Sequence, residues 1–419
     1  MPTATLRASD DALLAAGSQS SLSSSSLKPQ RGVFPVFLCG MLAFLELYCT
    51  QPMLPMLAHV FHASEASVSG TISASTFGVA ISAALLALFG ERLDRKKTIV
   101  ASMVALAICT LLTATATSLP VLALWRMLQG LITPGVFILT IAYVTEEWPP
   151  LEVPRVMSYY VGGTVFGGFL GRISAGILAE RLGWRPIFLV LGILGLFGAA
   201  LAQRVLPPAR PKERRIKSAS PFTPVLANLQ NPRLLATFGI GFCMLYTLIS
   251  IFSYITFYLA AAPFHLSTAE LSWLFTVYLC GLAATLAAGT VLARVGLRHG
   301  MVTAIGFCLG GLMLTLVPSL PVIGLGLAMA SSGVFISQTC ANSFLRDAAP
   351  AGSRVSAAGM YICSYYIGGT VGGILPAAAW RMAGWPGCVS LTSTLLITAG
   401  LLAFFGWKKR TAAPDPIPL

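Results

Sequence analysis

Charge is scarce in this sequence. Of its 419 residues only 10% are charged, while 56% are hydrophobic. Water-soluble domains carry charge on about a quarter of their residues, so an ordinary soluble globule is excluded and the chain is read as an integral membrane protein. Histidine is rarer still: His59, His62, His265 and His299 all fall between apolar runs. No HExxH string, GxSxG elbow or glycine-rich phosphate loop with its lysine occurs, which leaves no basis for a metalloprotease, a serine hydrolase or ATP hydrolysis. The nine cysteines are scattered singly with no CxxC pair, so neither a zinc site nor a disulfide framework is implied, and no cofactor. An intramembrane enzyme would need a nucleophile beside a base. No such pair is evident, and the chain is not read as an enzyme.

Long apolar runs are what the sequence has in abundance. Twelve are found, at about 33–57, 68–89, 98–118, 121–144, 156–179, 186–205, 234–258, 270–293, 300–317, 321–344, 355–378 and 386–407. Each has about 18 to 25 residues, the length a helix needs to cross about 30 Å of hydrocarbon. Residues 1–32, rich in serine and alanine, are expected to be a disordered cytoplasmic tail and not a cleavable signal. The remainder divides into an amino-terminal six-helix bundle (33–206), a cytoplasmic linker (207–232), a carboxy-terminal six-helix bundle (233–407) and a second cytoplasmic tail (408–419).

The division rests on a string written twice. Ser158 to Gly168 reads SYYVGGTVFGG and Ser364 to Gly373 reads SYYIGGTVGG, with Gly183-Trp184 following the first and Gly384-Trp385 the second. An interval of about 200 residues is too long for a solenoid and points to two homologous halves, the parallel-repeat plan of one large class of transporters. Gly162, Gly163, Gly167, Gly168 and Gly171 on the fifth span, with Gly368, Gly369, Gly372 and Gly373 on the eleventh, have the spacing of close helix contacts. The net charge of +13 suggests nucleic acid only for a soluble protein. Here about 22 of the 27 basic residues fall in the tails and loops that are cytoplasmic if the amino terminus is, an asymmetry that sets orientation, with both termini inside.

The loop after the second span reads GERLDRKK, from Gly90 to Lys97. It resembles the major facilitator superfamily pattern of G, three residues, D, R, then G, R and K, matched by Gly90, Asp94, Arg95, Lys96 and Lys97 without the inner glycine. LWRMLQG (Leu124 to Gly130) resembles the family's fourth-span pattern, and YCTQPMLPMLAHVF (Tyr48 to Phe61) resembles the first span of the branch containing drug:proton antiporters. The resemblance covers the chain beyond the tail and implies an all-α membrane protein, with twelve transmembrane helices in two pseudo-symmetric six-helix bundles. It also implies a monomeric carrier in a cell membrane, a bacterial inner membrane, moving a small organic solute by alternating access, with proton-coupled efflux as the leading mode. Uptake or exchange of a sugar or organic anion is the alternative. The loop is expected to gate the cytoplasmic side, with Asp94 drawn to the helix amino terminus of the eleventh span.

Three ionisable residues lie well inside spans: Glu46, Arg126 and Arg172. An arginine near a helix centre costs about 2.5 to 3.5 kcal/mol even on the mild insertion scale, so each needs a partner. At 1.5 Å per residue all three sit about 20 to 27 Å from the cytoplasmic ends of their helices, which predicts one network. Glu46 carries a proton between the two arginines on one reading. On another the three form a permanent buried pair holding helices in register, and on a third they touch a charged substrate. The carboxy-terminal half offers aromatic and amide groups instead. Because the resemblance implies that spans one, four, seven and ten line the cavity, Gln51, Gln129, Tyr246, Tyr254, Gln338 and Asn342 are the candidate solute contacts.

Overall fold

The computed structural model describes residues 32–89, 93–207, 222–350 and 353–407. Every regular element among them is helical, as hydrocarbon demands of a chain with no water to satisfy its peptide groups. Eleven helices are long and apolar enough to cross a bilayer. One more span, the eleventh in chain order, is Arg354–Ile374, a helix packed between the second and seventh spans. The expected runs match these spans, with ends displaced by a few residues, except that the last helix begins at Pro376, ten residues before its expected start, and kinks at Ala383 and Gly384. The first span is interrupted: Phe34–Leu47 is α-helical, Gln51–Met53 is a single 3-10 turn, and Leu54–Val60 resumes the helix. Pro52 and Pro55 fall in this segment and each lacks the N–H that a continuous ladder needs.

The repeated string is a packing surface in both halves. Alpha-carbons of the fifth span (Val153–Leu182) lie against the first so closely that a Cβ at Gly163, Gly167 or Gly171 would run into the carbonyls of Phe37, Met41 and Leu45. The eleventh span repeats this on the seventh (Pro232–Ala260), with Gly368 against Phe242 and Gly372 against Tyr246. The one-residue difference between the two copies thereby acquires a meaning. Gly163 is the second glycine of its GG pair and Gly368 the first of its own, so the structural match is one residue out of step with the SYY match.

A second duplication emerges in the loops after spans one and seven. Phe61-His62-Ala63-Ser64 and Phe264-His265-Leu266-Ser267 each place histidine at positive φ, 48° and 50°. Each then caps the next helix with serine: Ser64 Oγ accepts from the Ser67 N–H at 3.3 Å, and Ser267 Oγ from the Glu270 N–H at 3.3 Å. The short polar cap satisfies one of the orphan donors at a helix start.

From Phe34 onward the chain packs as one unit. Its two bundles meet along spans two (Glu65–Phe89) and eleven, where Ser73 Oγ donates to the Thr370 carbonyl at 2.8 Å. They also meet between span five and the first turns of span eight, Thr268–Trp273. Along span five, Arg172, Gly176 and Glu180 recur at four-residue spacing on one face. They meet Phe275, Ser272 and Ala269 in turn, the last through a 2.6 Å bond from the Ala269 N–H to Glu180 Oε2. This stripe holds span five against the start of span eight. Within the expected linker a helix forms, Phe222–Leu229, whose Asn228 holds Ser353 by two bonds of 2.9 and 3.2 Å. The linker is thus anchored to the start of span eleven.

Candidate functional site

Breaking the first span leaves the carbonyls at the end of Phe34–Leu47 without their usual N–H donors, and these carry the negative end of the helix dipole. Arg126, fully buried on the fourth span (Leu119–Glu147), answers this need. Its Nη1 donates to the Glu46 carbonyl at 2.9 Å and to Gln129 Oε1 at 2.6 Å, and its Nη2 donates to the Leu47 carbonyl. Hydrogen bonds to a charged group contribute about 1.5 to 3 kcal/mol each. Three of them offset the insertion penalty of a central arginine, and no carboxylate is required.

The Glu46 carboxylate turns the other way. It accepts a hydrogen bond from Thr110 of the third span (Arg95–Thr113), and its other oxygen rests against Gly195 of the sixth (Trp184–Val205). Gln129 Nε2 donates to Thr110 Oγ1 at 2.7 Å. The chain Arg126, Gln129, Thr110 and Glu46 is therefore continuous, with neutral groups between cation and acid. Among the described residues no ion pair joins Glu46 to either arginine.

Arg172 stands apart, and the expected three-way network does not form. Its Nε donates to Gln51 Oε1 at 2.8 Å and its Nη1 to the Gly168 carbonyl at 2.7 Å. The guanidinium lies 4.7 Å from the ring of Tyr48 on the first span, and 5.0 Å from each of Phe275 and Tyr278 on the eighth. Three cation–π contacts of about 0.5 to 2 kcal/mol hold it in place of an acid. Equal depth misled the prediction: rise along a helix fixes height, but each residue also turns by about 100°. Glu46 and Tyr48 thus face opposite sides of the first span. Tyr48, Thr110, Phe275 and Tyr278 were not singled out from sequence; aromatic residues on spans one and eight at the height of Arg172 were the available signal.

The expected cavity residues divide. Gln129 belongs to the buried chain just described, and Gln51 to the Arg172 cluster. Tyr246 is fully buried beside Phe242, with ring centroids 6.4 Å apart. Tyr254 donates its hydroxyl to the Gly373 carbonyl at 3.0 Å, tying spans seven and eleven. Gln338 is half-buried and Asn342 exposed on the tenth span.

In the gating loop Gly90 lies outside the described residues. Asp94 does not reach the eleventh span; it caps its own helix, accepting from the Lys97 N–H at 3.0 Å, because the helix that starts at Arg95 offers that free N–H three residues on. Lys97 Nζ lies 4.0 Å from the same carboxylate, and Lys96 is half-buried. Arg95 forks onto Glu146 at the end of the fourth span, at 2.8 and 3.1 Å.

A cleft of about 560 Å³ lies elsewhere, between spans seven and twelve, and is lined by Leu235, Leu401, Phe405 and other mainly apolar groups. It borders none of these charges.

The family model described as Major Facilitator Superfamily matches residues 36–373. The chain belongs to that superfamily. It is 31% identical over 375 residues to a transporter of Buchnera aphidicola subsp. Schizaphis graminum, covering 88% of this chain and 90% of that one. It is 30% identical over 375 residues to the inner membrane transport protein YnfM of Escherichia coli strain K12, covering 89% of each. Among solved structures, a bacterial homologue of the human lysosomal transporter Spinster, in an inward-facing and unoccupied conformation, superposes with a TM-score of 0.73 at 15% identity. That match covers 90% of this chain and 97% of the other. This superfamily protein is a multi-pass membrane transporter of a small solute, not an enzyme, built as two six-helix bundles.

Proposed function

We propose that this transporter exports a small organic solute from the cytoplasm in exchange for protons, with Glu46 as the proton carrier. The observation that carries the reading is the placement of Glu46: 1% exposed, held by one hydroxyl, with no guanidinium among the described residues in ion-pairing distance. A buried carboxylate without a cation is costly in its charged form, so its charge and proton must follow the access state of the bundle. Outward movement is the direction of the antiporter branch that the first span resembles. With both termini cytoplasmic, the Arg172, Gly176 and Glu180 stripe closes the outer face, and the cycle alternates between this state and one in which spans five and eight part. The protein works as a monomer in the bacterial inner membrane, each bundle supplying half of the path.

A solute library makes the test possible before the solute is identified. Proteoliposomes loaded with a pH-sensitive dye are challenged with the library in the presence and absence of a protonophore. Solutes that move protons through wild type should move none through Glu46→Gln, while solute counterflow continues. Proton movement unchanged in Glu46→Gln would end the assignment. Uptake or exchange of an organic anion is the second reading. It is favoured by Arg172, which has no acid beside it among the described residues.

A further inference from the structure

We propose that Arg172, Gln51, Tyr48, Phe275 and Tyr278 form a binding site for an organic anion, a carboxylate carried on a flat or aromatic body. The proposal rests on the carrier reading above and names its substrate class. Arg172 is 4% exposed, and no carboxylate among the described residues lies within ion-pairing distance of it. Its Nε and Nη1 are engaged by Gln51 and Gly168, whereas no acceptor among the described residues takes a hydrogen bond from Nη2. Beside it Gln51 is completely buried, and its Nε2 has no hydrogen-bond partner; the buried Thr50 hydroxyl has none either. Buried donors are ordinarily satisfied, and the exceptions call for an explanation.

Here a buried cation stands beside an unpartnered amide donor. No carboxylate among the described residues matches them, so a ligand that accepts hydrogen bonds and carries negative charge completes the cluster. An ammonium ligand would meet repulsion, and a neutral one would add no opposite charge to a guanidinium held by rings and neutral acceptors. The rings of Tyr48, Phe275 and Tyr278 stand 4.7 to 5.0 Å from the guanidinium carbon. A carboxylate is recognised in the guanidinium plane, edge to edge, and the same rings offer apolar surface to the rest of the molecule. The site draws on both bundles, through spans one and five on one side and span eight on the other. A ligand there senses their separation.

The experiment uses the full chain purified in detergent. Thermal unfolding is followed with benzoate, phenylacetate and succinate, each against its amide, and with benzylamine as the cationic control. At least one carboxylate should raise the midpoint by a few degrees, whereas the amides and the amine leave it unchanged. Gln51→Glu places an acid where the Gln51 amide oxygen now meets Arg172 Nε. It should abolish the carboxylate shift while leaving the midpoint of the protein alone at or above wild type. Arg172→Lys, which keeps the charge but loses the planar fork, should weaken the same carboxylate at least tenfold. The proposal is overturned if no carboxylate shifts wild type, or if the shift survives in Gln51→Glu. Should amides or the amine shift the midpoint while carboxylates do not, a solute site exists, so the carrier reading stands and the anion assignment alone falls.

Discussion

The two bundles share one frame but not one chemistry. Phe37 corresponds to Phe242, Met41 to Tyr246 and Gly163 to Gly368, each pair making the same close helix contact. Carried along that correspondence, Glu46 falls on Ile251. Arg126, the eighth residue of the 29-residue fourth span, matches Leu327 at the same place in the 29-residue tenth. Both counterparts are buried apolar residues, and the seventh span runs unbroken where the first is interrupted. The glycine contacts therefore specify the frame. The break in span one, with the charges that attend it, is what the amino-terminal half adds.

The most damaging way to break the comparison is to remove the shared frame. Gly167→Val should cost about 3 kcal/mol or more, since its side chain would meet the Met41 backbone, which cannot step aside. Loss of monodisperse protein on gel filtration checks this. Gly162→Ala, five residues away and facing open space, should leave folding intact.

Making the first half resemble the second sharpens the distinction between its charges. Arg126→Leu strips the cap from the broken helix and should lower stability by about 3 kcal/mol, read from the thermal midpoint. Glu46→Leu removes an acid from a site that already has apolar walls. It should cost less than about 1 kcal/mol yet stop solute-driven proton movement. Equal losses of stability in the two variants would mean that acid and cation act as one structural unit. An effect on stability alone is expected at the loops, where the halves solve one problem differently. Gly296 turns between spans eight and nine at φ 83°, whereas Asp94 caps span three. Asp94→Ala should cost about 1 kcal/mol in the same thermal assay.

Much of the frame could be read from residues alone, because a bilayer allows few solutions. Apolar length gave the spans, and the SYY strings gave the duplication, although only packing revealed their one-residue slip. The FHxS echo at Phe61 and Phe264 was equally visible and was missed because it is short. The site was less legible. Glu46, Arg126 and Arg172 stood out by identity, but their partners did not. Arg126 bonds to main-chain carbonyls exposed by a helix break, and Arg172 is held by rings from both bundles. Neither a broken helix end nor a contact between distant spans is written in one-dimensional spacing. Asp94 illustrates the same limit: a local helix start competes with a remote one and wins.

The central claim is that acid and cation do separate work, Glu46 on protons and Arg172 on the solute. Carboxylate protection against thermal unfolding and dye-reported proton movement, recorded on the same preparations of wild type, Glu46→Gln and Gln51→Glu, tests it most directly. The account predicts that Glu46→Gln keeps the protection and loses the proton signal, while Gln51→Glu loses both. Loss of carboxylate protection in Glu46→Gln as well would contradict it.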